Sequence, residues 1–440
     1  MRRLERFFRV REAGSTVRRE ALAGLTTFLA MSYILFVNPA VLSQAGMDFG
    51  AVFTATCLAS AAATLIMGWA ANYPIALAPG MGQNFFFLTI VLSGAATWQE
   101  ALGAVMLAGA LFTALTLTRV RGKIIEAIPE PLMIGIAAGI GLFIALLGLV
   151  NAGVVRGAPG RLLQIGDLSS SSPLLAFGAL AVTVALAARR VRGALLLGMS
   201  AAAAAALALG LIRFQGLAGP PPSLAPTFLQ LDLAGILRWE MAPLVAVFLY
   251  MAMFDAIGTL VAVGQRAGLV QNGRLVRGEK ALLSDAAGSM IGAALGTSTV
   301  TAYIESATGV EEGGRTGLAN VVTAALFLLA LPAAPLARMV GGGVASAEGP
   351  PLHPITAPAL LLVGAMMARG AARIPWDDPT EAVPAFLVMA GIPFTFSIAD
   401  GLALGFIAYP VMKLLAGRAG EVSWIGWLLA GLFAARYGLP

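Results

Sequence analysis

The sequence predicts an all-α polytopic membrane protein of fourteen spans arranged as two seven-span halves. Three observations carry this. Hydrophobic residues make up 59% of the chain and charged residues 11%, against roughly 25% charged in soluble proteins. Apolar runs long enough to cross ~30 Å of hydrocarbon, about 20 residues each, recur from end to end. Lys and Arg fall on alternate sides of those runs. One cysteine, Cys57, and one histidine, His353, leave no disulfide framework and no Cys/His metal site. No metal and no bound cofactor is therefore expected. The net charge of +6 reads as a topology signal, not as a nucleic-acid footprint.

In chain order, residues 1–20 (MRRLERFFRVREAGSTVRRE) read as a basic cytoplasmic tail, without the apolar core and cleavage site of a signal peptide. Spans are expected at 21–43, 51–72, 74–94, 100–119, 131–151, 173–189 and 193–213. The second half follows at 241–263, 280–296, 298–312, 316–337, 355–372, 382–397 and 400–416. A further apolar helix, 423–437, lies at the C-terminal end. With the N-terminus in the cytoplasm, the inside regions hold 22 of the 28 basic residues, including Arg119, Arg121 and Lys123. The outside loops hold five, Arg156, Arg161, Arg213, Arg238 and Arg338. This asymmetry supports an even span count in a cell (inner) membrane.

The polar interval 214–240 divides the chain into its two halves. Seven is odd, so a repeated seven-span unit enters the membrane in opposite senses, the inverted-repeat logic of secondary transporters. The third span of each half is interrupted. In "NYPIALAPGMGQNFFF" (72–87), Pro74 and Pro79 lack amide protons and Gly80 and Gly82 weaken a helix. In "GTSTVTAYIESATG" (296–309), a Thr/Ser/Val run favours extended chain. Each reads as a short extended segment followed by a half-helix. Backbone of that kind is tolerated only inside protein or along an aqueous cavity. A half-helix start also presents unpaired amides and the positive end of its dipole.

Ionisable groups inside spans are expensive and mark function by default. Glu305 in the tenth span and Asp255 in the eighth, "YMAMFDAIGTL", are the carboxylates expected deep in the membrane. Asn84 joins them from the third span. Each has a purely structural alternative: a carboxylate held by neighbouring hydroxyls, an acid that orients the breaks, and a half-helix cap. Thr27 is placed to line a cavity or to bond back to its own helix. Phe85 is placed to cover a flat ligand or to pack. Thr299 and Thr301 complete the candidate substrate contacts. His353 reads as structural, and Glu311 and Glu312 as a solvated turn.

The motifs "GLTTFLAMSYILFVNP", "PIALAPGMGQNFFF", "FDAIGTL", "GTSTVTAYIESATGVEEGGRTGL" and "TAPALLLVGAMM" together resemble the nucleobase:cation symporter-2 family. Within it they look like the AzgA-like branch of adenine, guanine and hypoxanthine permeases. The resemblance implies the uracil-permease fold, with short strands in spans 3 and 10. It implies a core domain (21–119 and 241–337) and a gate domain (131–213 and 355–416). It places substrate binding on Asn84, Asp255 and Glu305 and main-chain amides of both breaks, with a co-transported proton carried by Glu305 or Asp255. Gln83 and Phe85 depart from the branch's usual GMGLNA, and Ala252 and Ala256 stand where Asp and Thr are common, which leaves the preferred base open. The expected partners are a purine nucleobase and the lipid bilayer, with a homodimer as an option. An enzyme is not expected. The alternatives are a uracil or xanthine permease, or an anion transporter or exchanger of the same fold.

Overall fold

The chain is seen in a computed structural model that describes residues 2–118, 129–158, 161–271, 274–345 and 351–438. Arg119, Arg121 and Lys123 lie outside the described residues, as does the end of the expected 100–119 span. The described chain is mostly helical. In order, its elements are α1 (Arg2–Phe7), α2 (Val17–Met31), α3 (Ile34–Gln44), α4 (Phe49–Ile66), β1 (Leu77–Pro79), α5 (Met81–Leu92), α6 (Trp98–Leu117) and α7 (Glu130–Asn151). Then come β2 (Val155–Ala158), β3 (Arg161–Ile165), α8 (Ser171–Ala188), α9 (Ala194–Ala208), α10 (Leu233–Ile236) and α11 (Ala242–Arg266). After these follow β4 (Val270–Gln271), β5 (Arg274–Leu275), α12 (Gly278–Leu295), β6 (Val300–Ala302), α13 (Ser306–Glu311), α14 (Leu318–Leu329) and α15 (Ala334–Gly341). The chain closes with α16 (Ala357–Ala368), α17 (Pro379–Thr395), α18 (Ile398–Leu415) and α19 (Trp424–Arg436).

Among the described residues, seven helices are long and apolar enough to cross a membrane, or eight if one bent pair is counted as a single span. That pair, Leu318–Leu329 and Leu331–Gly341, meets at 42°, at Pro332. Several expected spans are therefore not single full-length helices. The segment 21–43 starts earlier, at Val17, and runs to Gln44 as one candidate span with a turn at Ser32 and Tyr33. The segment 355–372 is a 12-residue helix followed by a 3-10 turn. Proline and short breaks shorten these elements where hydropathy sees continuous apolar sequence.

Residues 1–20, expected as a basic tail, pack in part onto the helices. Phe8 and Val10 are buried against Leu318, and Asn72 Nδ2 donates to the Phe8 carbonyl. Glu20 is fully buried, its carboxylate accepting from the amides of Arg315 (3.0 Å) and Thr316 (3.3 Å). Sequence caps set other helix starts. Asp48 accepts from Ala51 N at α4, and Thr97 and Glu100 form a reciprocal capping box at α6. The 214–240 interval packs against both halves. Thr54 donates to the Pro222 carbonyl, Leu229 N to Ala294 O and Asp232 N to Gln99 O.

Two groups of helices result. In one, α4 packs on α3, α12 and α14, α2 on α13 and α14, and α6 on α11 and α12. In the other, α7 packs on α16 and α17, α17 on α18, α18 on α19, and α8 on α9. Glycines allow the closest crossings: a Cβ on Gly364 would lie 2.5 Å from Gly141 O, the small-residue contact typical of membrane helices.

Inside the first group, β1 and β6 pair antiparallel, with Leu77 opposite Ala302, Ala78 opposite Thr301 and Pro79 opposite Val300. The expected extended segments are thus present and joined. Their outward backbone groups are satisfied by side chains from surrounding helices. Thr64 Oγ1 accepts from Leu77 N (2.9 Å) and donates to Leu77 O (3.0 Å). Asn320 donates to Ile75 O (2.7 Å), Ser289 to Val300 O (2.8 Å), and Asp285 accepts from Ala302 N (2.8 Å).

Two outcomes follow from this packing. Thr64→Val keeps the shape but orphans both Leu77 groups, which costs about 1–3 kcal/mol per buried group; thermal unfolding in detergent measures the loss. At the end of the second group, Arg418 and Thr380 hold the Asp378 carboxyl at about 2, and Arg418 and Lys413 hold Glu421 at about 2. Both folded values lie below the ordinary ~4. Their stabilisation is therefore complete above that value and is lost as pH falls toward about 2. Arg418→Gln flattens this acid limb in a pH series of unfolding midpoints.

Candidate functional site

The paired strands end where two half-helices begin. Helix α5 starts at Gly80, whose N–H donates to Thr299 O at 2.9 Å. No side chain caps this helix, so its first-turn amides and positive dipole end are available to an acceptor. Gly80 is crowded by side chains: a Cβ there would lie 2.0 Å from Gln83 Oε1 and 2.8 Å from Thr301 Cγ2, so those ends would have to shift. On the other strand, Tyr303 N donates to Ala76 O (3.0 Å) and Tyr303 Oη to Pro79 O (2.5 Å). Glu305 stands at the N-cap position of α13, held by Tyr33 Oη donating to its Oε1 at 2.9 Å.

These ends open on a cavity of about 1280 Å³ between the two helix groups. It runs beside α11 and is walled by α7, α16, α18 and α19. Small-molecule pockets are roughly 300–1,000 Å³, so a compact ligand fills only part of it. The wall is mostly apolar. Its polar end gathers Tyr33, Gly80, Gln83, Asp255, Thr301 and Glu305. Glu305 is half-buried and Asp255 is open to the cavity, enclosed by protein but reachable by solvent. Gln83 Nε2 donates to Asp255 Oδ2 at 3.2 Å. Asp255 is within electrostatic reach of Glu305, Tyr303 and Asp285. Among the described lining residues the one basic side chain is Arg373.

Three of the candidate residues, Glu305, Asp255 and Thr301, thus meet at the cavity. Four do not line it. Asn84 is fully buried and accepts from Ser298 Oγ, tying α5 to the segment before β6. Helical geometry turns it about 100° from Gln83, so Gln83 takes the cavity face. Phe85 is 1% exposed and packs in the core. Thr27 packs where α13 crosses α2, against Gly309. Thr299 is buried and meets Gly80 through its carbonyl. Glu311 and Glu312, expected as a solvated turn, pair with Arg266 and Arg192. His353 Nδ1 lies 3.0 Å from Gly341 O, a structural contact.

The family model Xan_ur_permease, described as "Permease family", matches residues 18–404. The chain belongs to the nucleobase:cation symporter-2 family. Two relatives extend this over nearly the whole length. The guanine/hypoxanthine permease PbuG of Bacillus subtilis is 45% identical, covering 98% of this chain and 98% of its own. The adenine permease AdeP of Escherichia coli is 43% identical, covering 98% of this chain and 95% of its own. These are permeases, not enzymes. Among solved structures, the transmembrane domain of a cyanobacterial bicarbonate transporter, BicA, aligns with a TM-score of 0.63 at 17% identity. It covers 88% of this chain and 96% of that one. That likeness establishes the fold alone. The symporter-2 chain is therefore a multi-pass membrane protein of the BicA and SLC26 fold.

Sequence reading of this symporter-2 member missed two groups. Asp285 on α12 is a third deep carboxylate, 0% exposed and bonded to Thr301 Oγ1 (3.2 Å) as well as to Ala302 N. A lone acid in the apolar run "LLSDAAGSM" is the same signal that marks Glu305. Tyr33 was legible only as part of a motif, because its partner is 272 positions away. The crowding at Gly80 gives a direct outcome. Gly80→Ala forces Gln83 and Thr301 apart and lowers stability by about 1–3 kcal/mol, the usual cost of overpacking. Unfolding midpoints in detergent check it, with a neutral result at the uncrowded Gly431 as the control.

Proposed function

We propose that the chain is a purine nucleobase permease, a secondary active transporter that imports a purine together with a proton by alternating access. The carrying observation is the pair of carboxylates, Glu305 and Asp255, that border the cavity beside the paired strand ends and the uncapped start of α5. A purine is flat and neutral, with N–H donors and ring-nitrogen acceptors on its edge. Glu305, braced by Tyr33, accepts from ring N–H groups in a charge-assisted contact. First-turn amides of α5 serve the ring acceptors. The apolar wall covers the faces. The names of the similar permeases, guanine/hypoxanthine and adenine, support a purine.

In this reading the chain has fourteen spans in two inverted seven-span repeats. The helix group around β1 and β6 is the core domain and the group around α7 is the gate domain. Relative movement of the two groups exposes the cavity to each side in turn. Glu305 and Asp255 are the groups that take up and release the proton. The basic asymmetry supports an N-terminus in the cytoplasm of an inner membrane. An anion exchanger, which the BicA likeness brings to mind, is disfavoured because two carboxylates repel an anion at the polar end.

Uptake of radiolabelled adenine, guanine, hypoxanthine, xanthine and uracil into proteoliposomes tests the reading. An imposed inward proton gradient drives purine accumulation, and a protonophore abolishes it. Sodium-dependent uptake without a pH gradient rejects the proton. Glu305→Gln removes the charge and sets an amide donor against a substrate donor, with roughly a tenfold to hundredfold loss of affinity. Near-normal purine binding by this variant makes Glu305 structural.

A further inference from the structure

We propose that Gln83 is a specificity-determining residue that favours purines carrying an exocyclic amino group. The inference rests on the purine reading above and adds which purines the site prefers. Gln83 is 2% exposed, yet it belongs to the polar end of the cavity. With Asp255 ionised, its carboxylate only accepts, and Gln83 Nε2 donates to Asp255 Oδ2 at 3.2 Å. The carbonyl side is thereby left pointing away from Asp255. Oε1 is buried without a hydrogen-bond partner, above Gly80.

A buried acceptor without a donor is a penalty that a bound donor relieves. The neighbouring groups do not supply one. The Thr301 hydroxyl is committed to Asp285, and Gly80 N–H to Thr299 O. The side-chain chemistry here is otherwise acceptor-rich, with Asp255 and Glu305 on the same wall. A ligand that brings one more N–H, beyond those taken by the carboxylates, therefore gains at Gln83. Among neutral purines, the amino substituent is that extra donor. Guanine differs from hypoxanthine by a 2-amino group, and adenine differs from unsubstituted purine by a 6-amino group. Ring shape is otherwise retained within each pair.

Equilibrium binding of these four bases to the purified full-length protein tests the proposal, with wild type beside Gln83→Leu and Gln83→Met. Both substitutions replace the amide with an apolar side chain; Met keeps the length and Leu is shorter. In the wild type, the aminated member of at least one pair binds roughly tenfold or more tighter, the scale of one buried hydrogen-bond partner. In both variants that ratio collapses toward one. Ratios unchanged in the variants overturn the proposal. So does a loss shared equally by all four bases, because that is the signature of Gln83 acting only by positioning Asp255. Absence of an amino preference in the wild type, with all four bases bound, also overturns it and leaves the purine reading standing. Failure of any base to bind the wild type removes the purine reading itself.

Discussion

The antiparallel pairing of Leu77–Pro79 with Val300–Ala302 is the constraint around which the rest of the molecule is arranged. Two stretches of non-helical backbone lie inside a protein whose composition suits hydrocarbon. Each unpaired amide or carbonyl there costs several kcal/mol. Three residues of pairing satisfy the inner groups only. The outer ones require polar side chains at fixed places on other helices: Thr64 on α4, Asp285 and Ser289 on α12, and Asn320 on α14. Asn38 reaches the same region, donating to Thr56 and to Thr297. Several buried polar residues in this group are therefore partners of the broken backbone.

The same breaks create the site. Stopping the helix at Asn72, which tolerates its left-handed backbone at φ 54°, and restarting it at Gly80 brings a helix start to the cavity. The second break does the same for Glu305. Because the strands are paired, the two restarts are held together and Glu305 and Gln83 share one wall. An acid in that position is stabilised by few neighbours: Tyr33 is the side-chain donor to Glu305, and Gln83 the one to Asp255. Partial satisfaction of this kind leaves acceptor capacity for a ligand. At Asp285 the two donors to Oδ1 are Thr301 Oγ1 and the Ala302 amide, so that oxygen serves the β6 strand as scaffold.

Fold likeness does not decide cargo. A bicarbonate transporter domain and this permease share an architecture at 17% identity, so the cavity has to be read from this chain's own residues. Here its polar end carries acids, an amide and helix-start amides, and the wider wall is apolar. In the proposed reading, that chemistry suits a neutral, donor-bearing ring better than an anion.

By itself the sequence determined the membrane class, the two interrupted segments, the positions of Glu305 and Asp255, and the family. All of these rest on local signals: apolar length, proline and glycine placement, an acid within an apolar run, and short motifs. Tertiary structure decided which neighbours of those residues face the cavity. Gln83 and Asn84 are adjacent in the chain, but a helical step separates their directions, and the phase of α5 is set by the pairing of β1 with β6. Asn84 and Phe85 therefore went to the interior and Gln83 to the wall. The count of full-length helices was likewise beyond hydropathy, which registers apolar length but not the 42° bend between Leu329 and Leu331. The partners of Glu20, Tyr33 and Asn320 lie more than 240 positions away. No periodicity within one segment encodes such contacts, because they exist only once the two halves of the chain are packed together.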